Sequence, residues 1–527
     1  MSTMRQYELF ELRWNGLDLE GLETSVKIHA VFSCPEQQVH KEVKGFYAGN
    51  GEYVVRFLPE KPGRYTWKVT EEVAGCAANE RNTACLDGAV EMVGEAVCEA
   101  ADSGRHGLVR AEGTHFRCAD GTWFYPFGTT VYAFSHQEDA LVEQTFETLA
   151  AAPFNKIRIC VFPKHYDYNH NDPEYFAFEK TDGKWDVCRP CYPFWDRLES
   201  HIARLDEMGI QCDLILFHPY DCWGFSKLTR KEALTYLDYV VRRLSAYPNI
   251  WWSLANEYDL MDYQMEDWYA FSRFLHENDI YGHLLSNHQM VIPWDFSDEA
   301  TTHICHQTSE LDYLSRDIDR FQKPLMVDEC RYEGNIPRRW GNISGFELVN
   351  RFWIVCMQGG YCTHGETFLN ETETLWWSKG GTLAGESPAR IGFLRSILEE
   401  LPGPLTFIGG GMTREEFERV KAIRSGEEGL EGFERLMWSL SWEQAKDFVN
   451  SRREMAACCG TDAYLKYYCR NCTSIGKLEL PEEGSYDVEV IDVWEMTRTK
   501  VLSGVNGTVE LRLPGKEGIA IMAVKKG

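Results

Sequence analysis

The sequence predicts an α/β protein, a (β/α)8 TIM barrel flanked by N-terminal and C-terminal β-sandwich domains. Three observations predict it. The middle of the chain alternates short apolar runs with amphipathic helical stretches. Two of those runs, Ile250-Trp-Trp-Ser-Leu-Ala-Asn256-Glu257 and Lys323-Pro-Leu-Met-Val-Asp-Glu329, end in a glutamate. Both ends of the chain instead carry short strands punctuated by Gly, Asn and Pro turns.

Residues 1–104 read as an immunoglobulin-like sandwich. Val26, Ile28 and Val31 mark one strand. Gly45 to Phe57 reads as strand, Gly/Asn turn, strand, and Pro62-Gly63 turns the chain into Arg64-Tyr-Thr-Trp-Lys-Val. Residues 105–402 read as the catalytic barrel, with strands expected at 123–132, 155–162, 210–218, 250–256, 282–288, 300–306, 324–329 and 360–364. Leu198, Ile202 and Leu205 share one helical face. Leu234, Leu237, Val241 and Leu244 share another, and Leu311, Leu314, Ile318 and Phe321 a third. The connection 289–299 is too short for a full helix, so the fifth helix is expected to be missing. Residues 403–527 return to β signals, with Tyr486–Trp494 alternating and Thr508–Leu513 following an Asn-Gly turn.

A chain of 527 residues suits about three domains. Its formal charge of −27 argues against nucleic acid and anionic membranes as partners. No run of 18 apolar residues is present, so no membrane span is expected. The first residues lack an apolar leader, and the 18 cysteines then read as reduced thiols of a cytoplasmic protein. Cys188/Cys191 and Cys469/Cys472 have CxxC spacing but fall in different domains, so isolated thiols are expected there. No HExxH, phosphate loop or dinucleotide fingerprint occurs. No metal and no cofactor are therefore expected, and the sequence is silent on oligomeric state.

Barrel enzymes carry their chemistry at the C-terminal ends of the strands. Two glutamates delivered to one rim are the equipment for glycosidic bond cleavage. Glu329 is expected as an ionised nucleophile, held so by Arg158 on strand 2. Glu257 is expected as the acid/base, with its proton affinity raised by its partner's charge. Asp328 alternates away from Glu329 on an ideal strand and reads as structural. His218, His306 and Glu366 lie at or just past strand ends and are candidate sugar contacts, as are Trp223, Trp376 and Trp377 in the following loops. Core packing competes as an explanation for each tryptophan. His303 is expected to be buried, and His364 fits either role. The Asn-Glu pairs at Asn79-Glu80 and Asn370-Glu371 close no apolar run and carry no weight.

On these residues the central 300 or so positions resemble clan A of the glycoside hydrolases, barrel enzymes with catalytic glutamates after strands 4 and 7. The resemblance implies that Asn256 binds the sugar 2-hydroxyl beside the acid/base Glu257, and that Glu329 is the nucleophile. Arg158 and His218 stand where the clan often has Arg on strand 2 and His on strand 3. Gly45-Phe-Tyr-Ala-Gly-Asn-Gly-Glu-Tyr resembles the module preceding some cellulase-like glycosidases of the clan. The expected function is a retaining exo-glycosidase acting on a small oligosaccharide or glycoside. An endo-acting cellulase-like hydrolase and a non-catalytic carbohydrate-binding barrel are the alternatives.

Overall fold

The computed structural model describes residues 2–21, 23–72, 90–409, 414–451 and 454–526. The chain forms two compact units. One comprises Met1–Ser309, Asp317–Ile343 and Cys362–Gly385; the other comprises Glu310–Arg316, Ser344–Tyr361 and Glu386–Gly527.

The first unit opens with seven strands in the order Ser2–Arg5, Val90–Glu99, Gly63–Glu72, Lys27–Cys34, Val39–Gly49, Glu52–Phe57, Phe10–Asn15. Strand Val39–Gly49 pairs with its neighbours on both sides and links the two halves of this layer. Ile28, Ala30, Phe32, Tyr53, Val55 and Phe57 alternate inward to form its core.

The barrel follows. Its strands are β1 (Phe127–Thr130), β2 (Lys156–Cys160), β3 (Gln211–Phe217), β4 (Ile250–Ala255), β5 (Leu285–Ser286), β6 (Ile304–Gln307), β7 (Leu325–Glu329) and β8 (Tyr361–His364). They form one parallel eight-stranded sheet in the order β5-β4-β3-β2-β1-β8-β7-β6. β5 and β6 meet through single bonds, Thr302 N–H to Leu285 O (2.8 Å) and Ser286 Oγ–H to His303 O (2.7 Å). The helices α1 (Asp139–Ala151), α2 (Tyr192–Glu207), α3 (Arg230–Leu244) and α4 (Met265–Asn278) each bury an apolar stripe. α3 starts at a capping box in which Thr229 and Glu232 exchange bonds. No helix lies between β5 and β6, as their short connection requires.

The expected first strand, 123–132, is divided. Trp123–Phe124 pairs with His115–Cys118 in a separate small sheet, and only Phe127–Thr130 enters the barrel. Pro126 lies between the two pieces and has no N–H for a ladder.

In the second unit a six-stranded sheet, Thr406–Gly409 to Thr497–Val505, and the pair Ile475–Glu479 with Thr508–Arg512 share one core. The β reading of 403–527 needs a correction. Three helices, Arg414–Arg424, Gly432–Ser439 and Trp442–Ser451, precede most of the strands and pack around Phe417, Met437, Trp442 and Ala445.

Candidate active site

β4 delivers Asn256 and Glu257, both buried. Glu257 has φ +53° and ψ +55°, a left-handed conformation that costs a residue with a Cβ about 1–3 kcal/mol. The loop after β5 supports it there. Tyr258 N–H donates to His288 O (3.0 Å), His288 N–H donates to Ala255 O (3.2 Å), and Glu257 N–H donates to His288 Nδ1 (3.3 Å).

Glu329 ends β7, where the register with β6 slips. Val327 lies opposite His306, Glu329 lies opposite Gln307, and Asp328 is the extra residue. Such a bulge breaks simple alternation. Asp328 is buried with Lys156 (2.8 Å), Thr363 Oγ1 (2.6 Å) and Cys305 Sγ (3.0 Å). Burial opposes its charge, but Lys156 and Arg158 hold its carboxyl well below the usual range. Its role is structural, and the reason is this ion cluster rather than an outward orientation.

Tyr132 and Arg158 tie the two strand ends together. The Tyr132 hydroxyl is hydrogen-bonded to Glu329 Oε1 and lies 3.2 Å from Asn256 Oδ1. Arg158 Nη2 donates to Asn256 Oδ1 (3.2 Å), and Nη1 stands 3.7 Å from Glu329 Oε1. Tyr220 donates its hydroxyl to Glu257 Oε2. His288 Nε2 lies 3.9 Å from Glu329 Oε1, and burial keeps this imidazole neutral. Burial, and then the charge on Glu257, push the Glu329 carboxyl up. Arg158, Tyr132 and Lys164 pull the other way without overcoming that push. Arg158 thus opposes protonation of Glu329 as expected, but burial outweighs it.

Lys164 is enclosed by rings. Its Nζ is 3.5 Å from the centre of Tyr132, 4.5 Å from Tyr220 and 4.9 Å from Trp377. Burial pulls its ammonium below the usual lysine range, and Cys160, Glu329 and Glu257 counter that. Trp377 also packs against Trp340 at 5.0 Å, with the rings tilted, and edge-on against Tyr132 at 5.6 Å.

Asn256, Glu257, Arg158, Glu329 and Trp377 therefore meet in one place. The other candidates make their bonds to different partners. Trp376 donates its indole N–H to Thr129 Oγ1 (2.8 Å) and is buried on β1. Trp223 donates to Asp172 Oδ1 (2.7 Å) and packs against His165 and Phe176. His306 bonds Asp317 through Nε2 (2.9 Å) and lies 3.3 Å from Gln289. His218 Nε2 bonds Phe162 O (3.1 Å), and burial pulls its imidazole down to about 4. Glu366 accepts N–H bonds from Ala384 (2.6 Å) and Gly385 (2.9 Å), and burial pushes its carboxyl up to about 7. His303 is buried, and its imidazole is pulled down to about 3. Asn370-Glu371 sits in an exposed turn, while Asn79-Glu80 lies outside the described residues.

Sequence reasoning missed Tyr132, Lys164, Tyr220 and His288. Three of them had a signal. Tyr132 closes the expected first strand, and Lys164 and Tyr220 open the loops after strands 2 and 3.

The comparisons with known proteins agree with this fold. Residues 110–378 match the family described as apiosidase-like, catalytic domain. Residues 3–72 and 453–525 match two domains of unknown function. A protein from Bacteroides vulgatus ATCC 8482, described as a candidate glycoside hydrolase, is 28% identical over 100% of both chains with a TM-score of 0.83. A glycoside hydrolase family 5 structure from the same organism is 15% identical, covers 80% of this chain and 93% of its own, and has a TM-score of 0.59; it supports the fold. No curated protein matches the chain. Among the described residues no helix is long and apolar enough to cross a membrane. The apiosidase-like match takes in just over half of the 527 residues, so the chain belongs to this family and is a glycoside hydrolase.

Proposed function

We propose that the enzyme is a retaining, exo-acting glycosidase that removes a terminal sugar from a small oligosaccharide or glycoside. The observation that carries this reading is the shared frame of Tyr132 and Arg158, which joins the strand-4 Asn-Glu pair to Glu329. In the first step a Glu329 carboxylate oxygen bonds to the anomeric carbon. The glycosidic C–O bond breaks, and Glu257 gives its proton to the departing oxygen. In the second step Glu257 takes a proton from water, the water oxygen bonds to the anomeric carbon, and Glu329 leaves as carboxylate. Asn256 holds the neighbouring sugar hydroxyl. Tyr132 orients Glu329 and stabilises its negative charge. This route needs the two carboxyls about 5–5.5 Å apart.

Exo action is supported by the rings of Trp340, Trp377 and Tyr166, which pack on one another beside the site and favour a closed pocket. Apiofuranosides are the first substrates to try, a choice the apiosidase-like match supports. A cytoplasmic location is supported by buried free thiols such as Cys160 and Cys212.

The test is a screen of aryl glycosides, followed by trapping with a fluoro-sugar matching the cleaved one. The expected adduct is on Glu329. Glu257→Ala should retain more activity on an acidic phenol leaving group than on a natural one, and azide should speed turnover of its accumulated intermediate. An adduct on another residue, or near-normal turnover by Glu329→Ala, refutes the assignment.

A further inference from the structure

Glu333, His364 and Glu366 form a buried cluster that the proposed reaction does not use. Glu333 and Glu366 sit opposite each other in the parallel pairing of Glu333–Gly334 with Glu366–Thr367. His364 ends β8. The three residues are 2%, 0% and 2% exposed. One ligand atom from each lies within 4.8 Å of the others, and His364 Nε2 is 4.0 Å from Glu366 Oε2.

The histidine is oriented for a ligand. Its Nδ1 is bonded to Thr129 Oγ1 (3.0 Å), and its ring stacks on Phe154 at 4.6 Å. Its Nε2 is buried with no hydrogen-bond partner, an arrangement that costs about 1–3 kcal/mol unless something fills it. Glu366 is fixed by the N–H groups of Ala384 and Gly385. A Cβ at 385 would stand 2.4 Å from Glu333 Oε2 and 2.6 Å from Glu366 Oε2, so any larger residue there would push the two carboxyls aside. Two carboxyl oxygens thus converge on one spot beside the 385 backbone. Within 4 Å of the Glu366 carboxylate the only basic side chain among the described residues is His364.

The geometry points to a divalent transition-metal site formed by Glu333, His364 and Glu366. One imidazole nitrogen and two carboxylates suit zinc or manganese, whereas calcium and magnesium prefer all-oxygen sets. Metal–ligand distances of about 2.0–2.2 Å would draw the three side chains inward by about 1 Å. Thr129 and the 384–385 backbone already supply the outer bonds that fix such ligands. The metal would clamp the segments after β7 and β8, which carry Tyr332 and Trp377. Its role is to brace the pocket wall, with no part in the bond-breaking step. His364 and Glu366 are two residues apart, but no spacing motif joins them to Glu333, which lies 31 residues before His364.

The test uses the full chain, stripped with chelator, reloaded with Zn2+ or Mn2+ in separate samples, desalted and measured by elemental analysis. About one retained equivalent is expected, with a higher Tm than the stripped protein. Glu366→Gln and Glu333→Gln should each lose that equivalent and the Tm rise, while other weak surface binding stays the same. Two results overturn the site. One is wild type retaining less than about a tenth of an equivalent of either metal. The other is both variants, folded by circular dichroism, retaining as much as wild type.

Discussion

Glu199→Gln tests how the N-terminal strands are fastened to the barrel. Arg56, on strand Glu52–Phe57, donates from Nη1 (2.6 Å) and Nη2 (2.8 Å) to the two oxygens of Glu199 on α2. Arg243 on α3 donates to the same carboxylate through Nε and Nη2. All three side chains are buried. Burial opposes the charge on Glu199, yet Arg56 and Arg243 hold its carboxyl down at about 2 against an ordinary 4.5. At ~1.36 kcal/mol per pH unit, that difference corresponds to ~3 kcal/mol. The figure agrees with the ~3–5 kcal/mol lost when one member of a buried ion group is removed.

A depressed carboxyl contributes its stability above the unfolded value and loses it as pH falls toward the folded one. The window is therefore pH 4.5 down to 2. Glu199→Gln should cost ~3 kcal/mol in urea unfolding at pH 7 and about half that at pH 3. A cost below ~1 kcal/mol at pH 7, or an equal cost at both pH values, refutes this account.

Three further outcomes are expected. Tyr132→Phe should lower kcat/KM about 10- to 100-fold with an unchanged circular dichroism spectrum, because a hydrogen bond to a charged group contributes ~1.5–3 kcal/mol. Glu329→Gln should raise Tm at pH 7 and raise it less at pH 4. Burial and Glu257 push this carboxyl up, so its ionisation costs stability as pH rises past the ordinary carboxylate value. Trp377→Ala should raise KM at least several-fold, whereas Trp376→Phe should leave KM near normal and cost ~1 kcal/mol of stability through the lost bond to Thr129, read by urea unfolding.

The barrel was legible because its strands are buried on both faces and therefore read as continuous apolar runs. Ile250–Ala255 and Leu325–Glu329 fall within the expected 250–256 and 324–329. The missing fifth helix was legible from chain length alone. The helices between 414 and 451 were not. Their apolar anchors, Phe417, Met437, Trp442 and Ala445, are split among three short segments. None of these segments is long enough to show a period of 3.6 against a largely Glu, Lys and Arg background.

The site divides along a similar line. Glu257 and Glu329 stood out in the sequence because each ends an apolar strand, where a charge needs partners. Tyr132, Lys164, Tyr220 and His288 follow strands 1, 2, 3 and 5, and no sequence spacing joins them. What joins them is charge balance. Two buried carboxylates need donors, which Tyr132 and Tyr220 supply, and a nearby cation, which Lys164 supplies from within a cage of rings. The same rings lower the cost of holding an ammonium away from water. Asp328 illustrates the limit of pattern reading. Its structural role was foreseen from alternation, but the alternation fails at the bulge, and Lys156 and Arg158 are what retain it. Strand periodicity locates the glutamates; the partners that set their charge come from loops, whose positions only the folded chain defines.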